Sequence, residues 1–165
     1  MWQQISDTLV SEFSDLPDAG EFTRVCIRLL LAALCGGILG YERENKGKAA
    51  GLRTHMLVSM GAALFVLVPD RAGMQVADMS RVIQGIVAGV GFLGAGAIIK
   101  RRSEEEVEGL TTAAGIWMTA AIGMACGLGR EATALLGTFL ALVILALLPH
   151  VPPHPGNDDK HDSNS

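Results

Sequence analysis

The chain has 165 residues, half of them hydrophobic and only 18% charged, with a net charge of -4. That charged share lies below the roughly 25% of an average soluble domain, so the composition points to a membrane protein of one domain rather than a soluble one. No basic stripe suggests nucleic acid, and Cys26, Cys35 and Cys126 sit in apolar stretches without metal-ligand or disulfide spacing.

Met1–Gly20 does not read as a signal peptide, because it has no basic head and no apolar core and carries Asp7, Glu12, Asp15 and Asp18. Trp2, Ile5, Leu9, Phe13 and Leu16 recur at spacings of three and four, which predicts a short amphipathic helix at the membrane surface within an extracytoplasmic segment, residues 1–21. Asp18 followed by Glu21 has the form of a capping box opening the first spanning helix.

Five apolar segments follow: about Phe22–Tyr41, Leu52–Val68 (stopping at Pro69), Val82–Ile99, Leu110–Leu128 and Ala132–Leu148. Each is hydrophobic on all sides, as a helix in lipid is. The expected fold is therefore all-α, a polytopic membrane helix bundle with five transmembrane helices over residues 22–148. The Leu52–Val68 segment is the least regular, since Arg53 and His55 leave only Met56–Val68 clean. Arg28, near the outer end of the first segment, is expected to snorkel outward. Residues 149–165, rich in Pro, Asp and Ser, read as a disordered cytoplasmic tail whose histidines are solvated rather than metal-bound.

The connections carry the polar chemistry. Gly40–Thr54 packs Glu42, Arg43, Glu44, Lys46, Lys48 and Arg53 between two spans. Charges close to a span are costly and usually paired, which predicts an ion pair of Glu42 with Arg53 or Arg43. The second cluster is on the other side, where Asp78 is expected to cap the third span, Arg81 to pair locally and Gln84 to bond across helices. Asp70 and Asp78 offer two carboxylates for Mg²⁺, but two acids in an exposed loop read first as solvated, and no metal site is expected. Glu104–Glu106 and Glu108 balance Lys100–Arg102 in another loop.

Gly89–Gly94 spells GxGxxG, the form of a dinucleotide fingerprint. The strand and soluble βαβ unit that a fingerprint requires are missing, so no cofactor is expected. Gly85, Gly89, Gly91, Gly94 and Gly96 read instead as a small-residue surface for close helix packing. In the fourth segment Thr111 or Thr112 is expected to cap the helix or bond to a neighbour, and Trp117, deep in the span, to need a partner for its indole N–H.

The runs GYERENKGKAAGLRTHMLVSMGAALF (40–65), RVIQGIVAGVGFLGAGAII (81–99) and GLTTAAGIWMTAAIGMACGLG (109–129) resemble the bacterial MgtC/SapB family over about residues 22–148. The resemblance implies an inner-membrane protein linked to growth under magnesium limitation and to survival inside phagocytes. It also implies a regulator, acting in some members on the F-type ATP synthase, rather than a magnesium transporter. Those members carry a cytoplasmic ligand-binding-like domain after the last helix, where this sequence has a short tail.

Eight basic residues, counting Lys160, fall on the side of the first and third connections, and four fall on the other. The positive-inside rule then puts the N-terminus outside and the C-terminus in the cytoplasm. Glu42, Arg43, Arg53, Thr54, Thr111 and Thr112 would meet at the cytoplasmic face. No nucleophile–base set or phosphate loop in a suitable context supports an enzyme. The expected partners are the bilayer and either another membrane protein or a second copy of the chain; a small oligomeric ion transporter or channel is the alternative.

Overall fold

The structure, a computed structural model, describes residues 1–12, 18–100 and 107–147. Six helices follow one another: α1 (Trp2–Glu12), α2 (Ala19–Asn45), α3 (Leu52–Arg71), α4 (Val76–Gly96), α5 (Leu110–Gly127) and α6 (Glu131–Leu147). Strands β1 (Ile99–Lys100) and β2 (Val107–Glu108) form a two-residue antiparallel ladder between α4 and α5, where the sequence suggested only a loop. The expected tail, 149–165, lies outside the described residues.

Helices α2 to α5 are long and apolar enough to cross a membrane, and α6 is an apolar helix of 17 residues, at the short end of the spanning range. The five expected spans are thus present with shifted ends. α1 is exposed throughout. The Asp18 cap is formed, its Oδ1 accepting from the Glu21 backbone N–H at 2.8 Å.

α2 has 27 residues and so is about 40 Å long, more than the ~30 Å of hydrocarbon. Its ends reach the headgroups, but Arg28 and Arg43 lie only about 22 Å apart along it. Both cannot clear the hydrocarbon, which is why each is held by partners instead of left to snorkel.

α3, the least regular span by sequence, is the centre of the bundle, packed chiefly between α2 and α5. Its polar residues separate by face: His55 and Ser59 are fully buried, whereas Arg53 and Thr54 are exposed. The helix also runs through Pro69 to Arg71. A proline this close to the end forfeits little of the ladder, and its own carbonyl accepts from Met74 N–H at 3.0 Å in the closing turn.

Close packing falls to other glycines than those expected. A Cβ at Gly36 would lie 2.5 Å from the His55 carbonyl oxygen, and one at Gly40 would lie 2.7 Å from Leu52 Cα. From the opposite side, a Cβ at Gly123 would lie 2.8 Å from Ser59 Cα and one at Gly127 2.9 Å from Ala63 Cα. Two small-xxx-small pairs, one on α2 and one on α5, therefore clamp α3. On α4, by contrast, a Cβ at Gly85, Gly89, Gly91 or Gly96 meets nothing within 4 Å; only Gly94 touches a neighbour, Ala113 on α5. The expectation of close packing at those four glycines is corrected: among the described residues, no element of the bundle approaches any of them closely. Trp117 is half exposed on the outside of the bundle, so no buried indole partner is required.

Candidate functional site

The polar groups gather at the two ends of the bundle. At the end carrying the α2–α3 connection, Glu42 and Arg43 form a side-by-side ion pair, and Lys46, one turn on, reaches Glu42 Oε1 at 2.7 Å. Arg43 is buried in spite of its charge. Its Nη2 also donates to the Leu145 carbonyl at 3.3 Å, and Lys46 Nζ donates to the same oxygen at 2.7 Å. Leu145 lies in the last turn of α6, where carbonyls have no partner within the helix and cations are favoured. The cluster therefore fastens the end of α6 to the end of α2.

Glu44, on the neighbouring turn, accepts from Leu52 N–H at 2.8 Å through Oε2, placing a carboxylate at the start of α3. Between them, Gly47 at φ +62 turns the chain out of α2, with Gly47 and Lys48 N–H returning to Glu44 and Arg43 carbonyls. His55 points into the bundle one turn further along α3. Its Nδ1 lies 2.9 Å from the Gly51 carbonyl, which can only accept, so Nδ1 donates there. Both His55 Nε2 and Ser59 Oγ are buried without a hydrogen-bond partner among the described residues.

The expected cytoplasmic-face group is thus divided. Glu42 takes Arg43, not Arg53, as its partner; Arg53 is exposed on the face of α3 opposite to buried His55. Thr54 and Gly96 come together with Ala50, Ala97 and Ile116 around a pocket of about 230 Å³. Thr112 is buried and Thr111 exposed, and neither caps α5, whose cap is Gly109 in the left-handed region at φ +99. An added Cβ there would run into the Ala97 carbonyl oxygen, which leaves no room for a capping side chain.

The second expected group is not assembled either. Asp78, Arg81 and Gln84 are all exposed on α4, whose cap position is Gln75; Asp78 falls in the first turn, where the helix dipole favours its charge. The polar residues that do meet at that end surround Arg28. Its Nη1 donates to the Gly127 carbonyl at 3.1 Å, so this arginine caps α5 from within the bundle. Sequence reasoning gave no site role to His55 or Ser59, and named Glu44 and Lys46 only as members of the charged connection. The i, i+4 spacing of Glu42 and Lys46 was the readable sign.

Among the described residues no three His, Cys, Asp or Glu side chains are grouped so as to hold a metal ion. Apolar helices with ionic clusters at their ends define a polytopic α-helical membrane protein. The MgtC family profile matches residues 29–152, and the chain belongs to that family. It is 46% identical over 138 residues to protein SrpB of Synechococcus elongatus, covering 77% of this chain and 76% of SrpB. It is 46% identical over 129 residues to YhiD of Escherichia coli, covering 72% of this chain and 58% of YhiD. Identity to protein MgtC of Salmonella typhimurium is 43% over 127 residues, 74% of this chain and 51% of MgtC. The chain therefore spans about half to three-fifths of the length of YhiD and MgtC. No solved structure matches it.

Proposed function

We propose that this chain is a non-enzymatic regulatory module of the bacterial inner membrane, serving adaptation to magnesium limitation or related stress through contact with another membrane protein. Residues 22–148 form the module, with the N-terminus outside and the C-terminus in the cytoplasm, on the division of basic residues. The observation that carries the reading is the uncovered face of α4. Between α3 and α4 runs an apolar groove of about 630 Å³ lined by Leu57, Gly61, Phe65, Gly85, Gly89 and Leu93. Small residues allow a helix backbone to approach closely and gain packing that lipid tails do not supply.

The charged groups support a fixed scaffold: they lie at the ends of the bundle, and Arg43, Lys46 and Arg28 each cap a helix terminus. A photo-crosslinking residue at Phe92, 81% exposed on α4, tests this in native membranes of cells grown in low magnesium. A discrete protein adduct at Phe92 and none at Phe139 on α6 supports the reading; adducts to lipid alone refute it.

One observation favours a second reading, transport. His55 and Ser59 place unpartnered polar atoms inside the bundle, where ionisable side chains often mark a pathway. The name of YhiD assigns that relative provisionally to magnesium transport. Purified protein in liposomes that leaves Mg²⁺, Na⁺ and K⁺ gradients intact excludes this alternative.

A further inference from the structure

At the end of the bundle where α2 begins and α3 finishes, a cavity of about 250 Å³ is lined by Glu21, Arg24, Val25, Arg28, Asp70 and Arg71. Three guanidinium groups face two carboxylates there. The acceptors are nearly used up: one Glu21 oxygen lies 2.5 Å from Arg24 Nη1 and the other 3.1 Å from Arg71 Nη1. Arg28 is held differently. Its Nη1 donates to the Gly127 carbonyl, and among the described residues its nearest carboxylates, Asp70 and Glu131, stand at 4.0 Å and 3.9 Å, beyond hydrogen-bond range, while its buried Nε has no hydrogen-bond partner. Gly129, at φ +69, makes this placement possible, since a Cβ there would collide with the Arg28 guanidinium. The lining thus carries more positive than negative charge, three guanidinium groups against Glu21 and Asp70, and Asp70 is loosely engaged, its side chain 47% exposed at the rim.

We infer that this cavity binds a zwitterionic phosphoethanolamine group, the headgroup of an ethanolamine phospholipid. The phosphodiester oxygens accept from Arg28 and Arg24, in the manner guanidinium groups suit. The ammonium donates to Asp70. Choline has no N–H to give Asp70, and glycerol has no positive charge, so ethanolamine is the headgroup that both halves of the site select. Glu21 lies in the first turn of α2 and Arg71 is the last residue of α3, which puts the cavity at the depth of headgroups with lipid available laterally. The volume corresponds to roughly eight water-sized units at ~30 Å³ each, enough for a phosphate and a short amine.

The test is lipid retention by the purified full chain, offered equal amounts of ethanolamine, choline and glycerol phospholipids with matched acyl chains and read by native mass spectrometry. Preferential retention of the ethanolamine lipid is expected. Arg24→Gln should reduce phospholipid retention about tenfold, as befits loss of one charge-assisted bond, and Asp70→Asn should erase the preference for ethanolamine over choline. Both residues have exposed side chains, so melting temperatures within error of the parent check that the fold persists. Glycerophosphoethanolamine separates the sources. If it fails to displace the lipid, the bilayer supplies the ligand; if it displaces it at equal concentration, the site takes the same chemistry from a soluble ester and the lipid assignment falls. Equal retention of all three lipids, or retention unchanged by both variants, overturns the proposal.

Discussion

Arg43 and Leu145 lie 102 positions apart, yet Arg43 Nη2 donates both to the Leu145 carbonyl at the end of α6 and to the Glu42 carboxylate beside it. One buried cation thereby satisfies a helix terminus and an acidic neighbour together. Arg43→Leu removes the buried partner of Glu42 and leaves Lys46 alone on both Glu42 and the Leu145 carbonyl. Breaking a buried ion pair by removing one partner typically costs ~3–5 kcal/mol, whereas an exposed pair is worth ~1 kcal/mol or less. Thermal melting in detergent should therefore fall sharply for Arg43→Leu and only slightly for Lys46→Ala, whose side chain is 44% exposed. Equal losses would show that the buried cation has no special place.

The glycines make opposite demands. Gly36→Leu and Gly123→Leu insert side chains where even a Cβ collides with α3, and overpacking typically costs ~1–3 kcal/mol with more where backbone is struck. Gly89→Leu enters open space and should leave the melting temperature of the isolated protein within error, while weakening any partner contact in the membrane. A Gly89→Leu protein as unstable as Gly123→Leu would mean that α4 is covered within the chain.

Ser59 tests what the buried polar pair is for. Its hydroxyl has no partner, so Ser59→Ala removes a desolvation cost of ~1–3 kcal/mol and should hold or raise stability. Growth in low magnesium of a deletion strain carrying this variant, alongside membrane abundance, separates the roles. Abundance retained with growth lost assigns the pair to function. Stability lost would show that Ser59 is bonded.

The spans were readable because hydrophobic length and end residues determine them, and Asp18 capped its helix as its spacing with Glu21 suggested. The site was less readable, since pairing depends on which face of a helix a residue occupies and on neighbours far along the chain. Arg43 bonds to Leu145 and Arg28 to Gly127, contacts that no local spacing announces. The glycines of α4 make the most visible pattern in the sequence, yet Gly36, Gly40, Gly123 and Gly127 do the packing. A small-residue stripe permits close approach without recording whether the same chain makes use of it.

The proposed orientation rests on the division of basic residues and is open to a direct check. Reporter fusions at Lys46 should give a cytoplasmic signal and fusions at Ala72 an external one, because α3 separates the two positions. The reverse pair of signals would invert the bundle and place the Arg28 cavity in the cytoplasmic leaflet.

The central claim is that the uncovered face of α4 is a contact surface for another membrane protein. Photo-crosslinking from Phe92 in native membranes measures this, with Phe139, 62% exposed on α6, as the control. A discrete adduct from Phe92 is expected, strengthened in low magnesium and abolished by Gly89→Leu at unchanged protein abundance. Lipid adducts alone from Phe92, or protein adducts equally strong from Phe139, would contradict it.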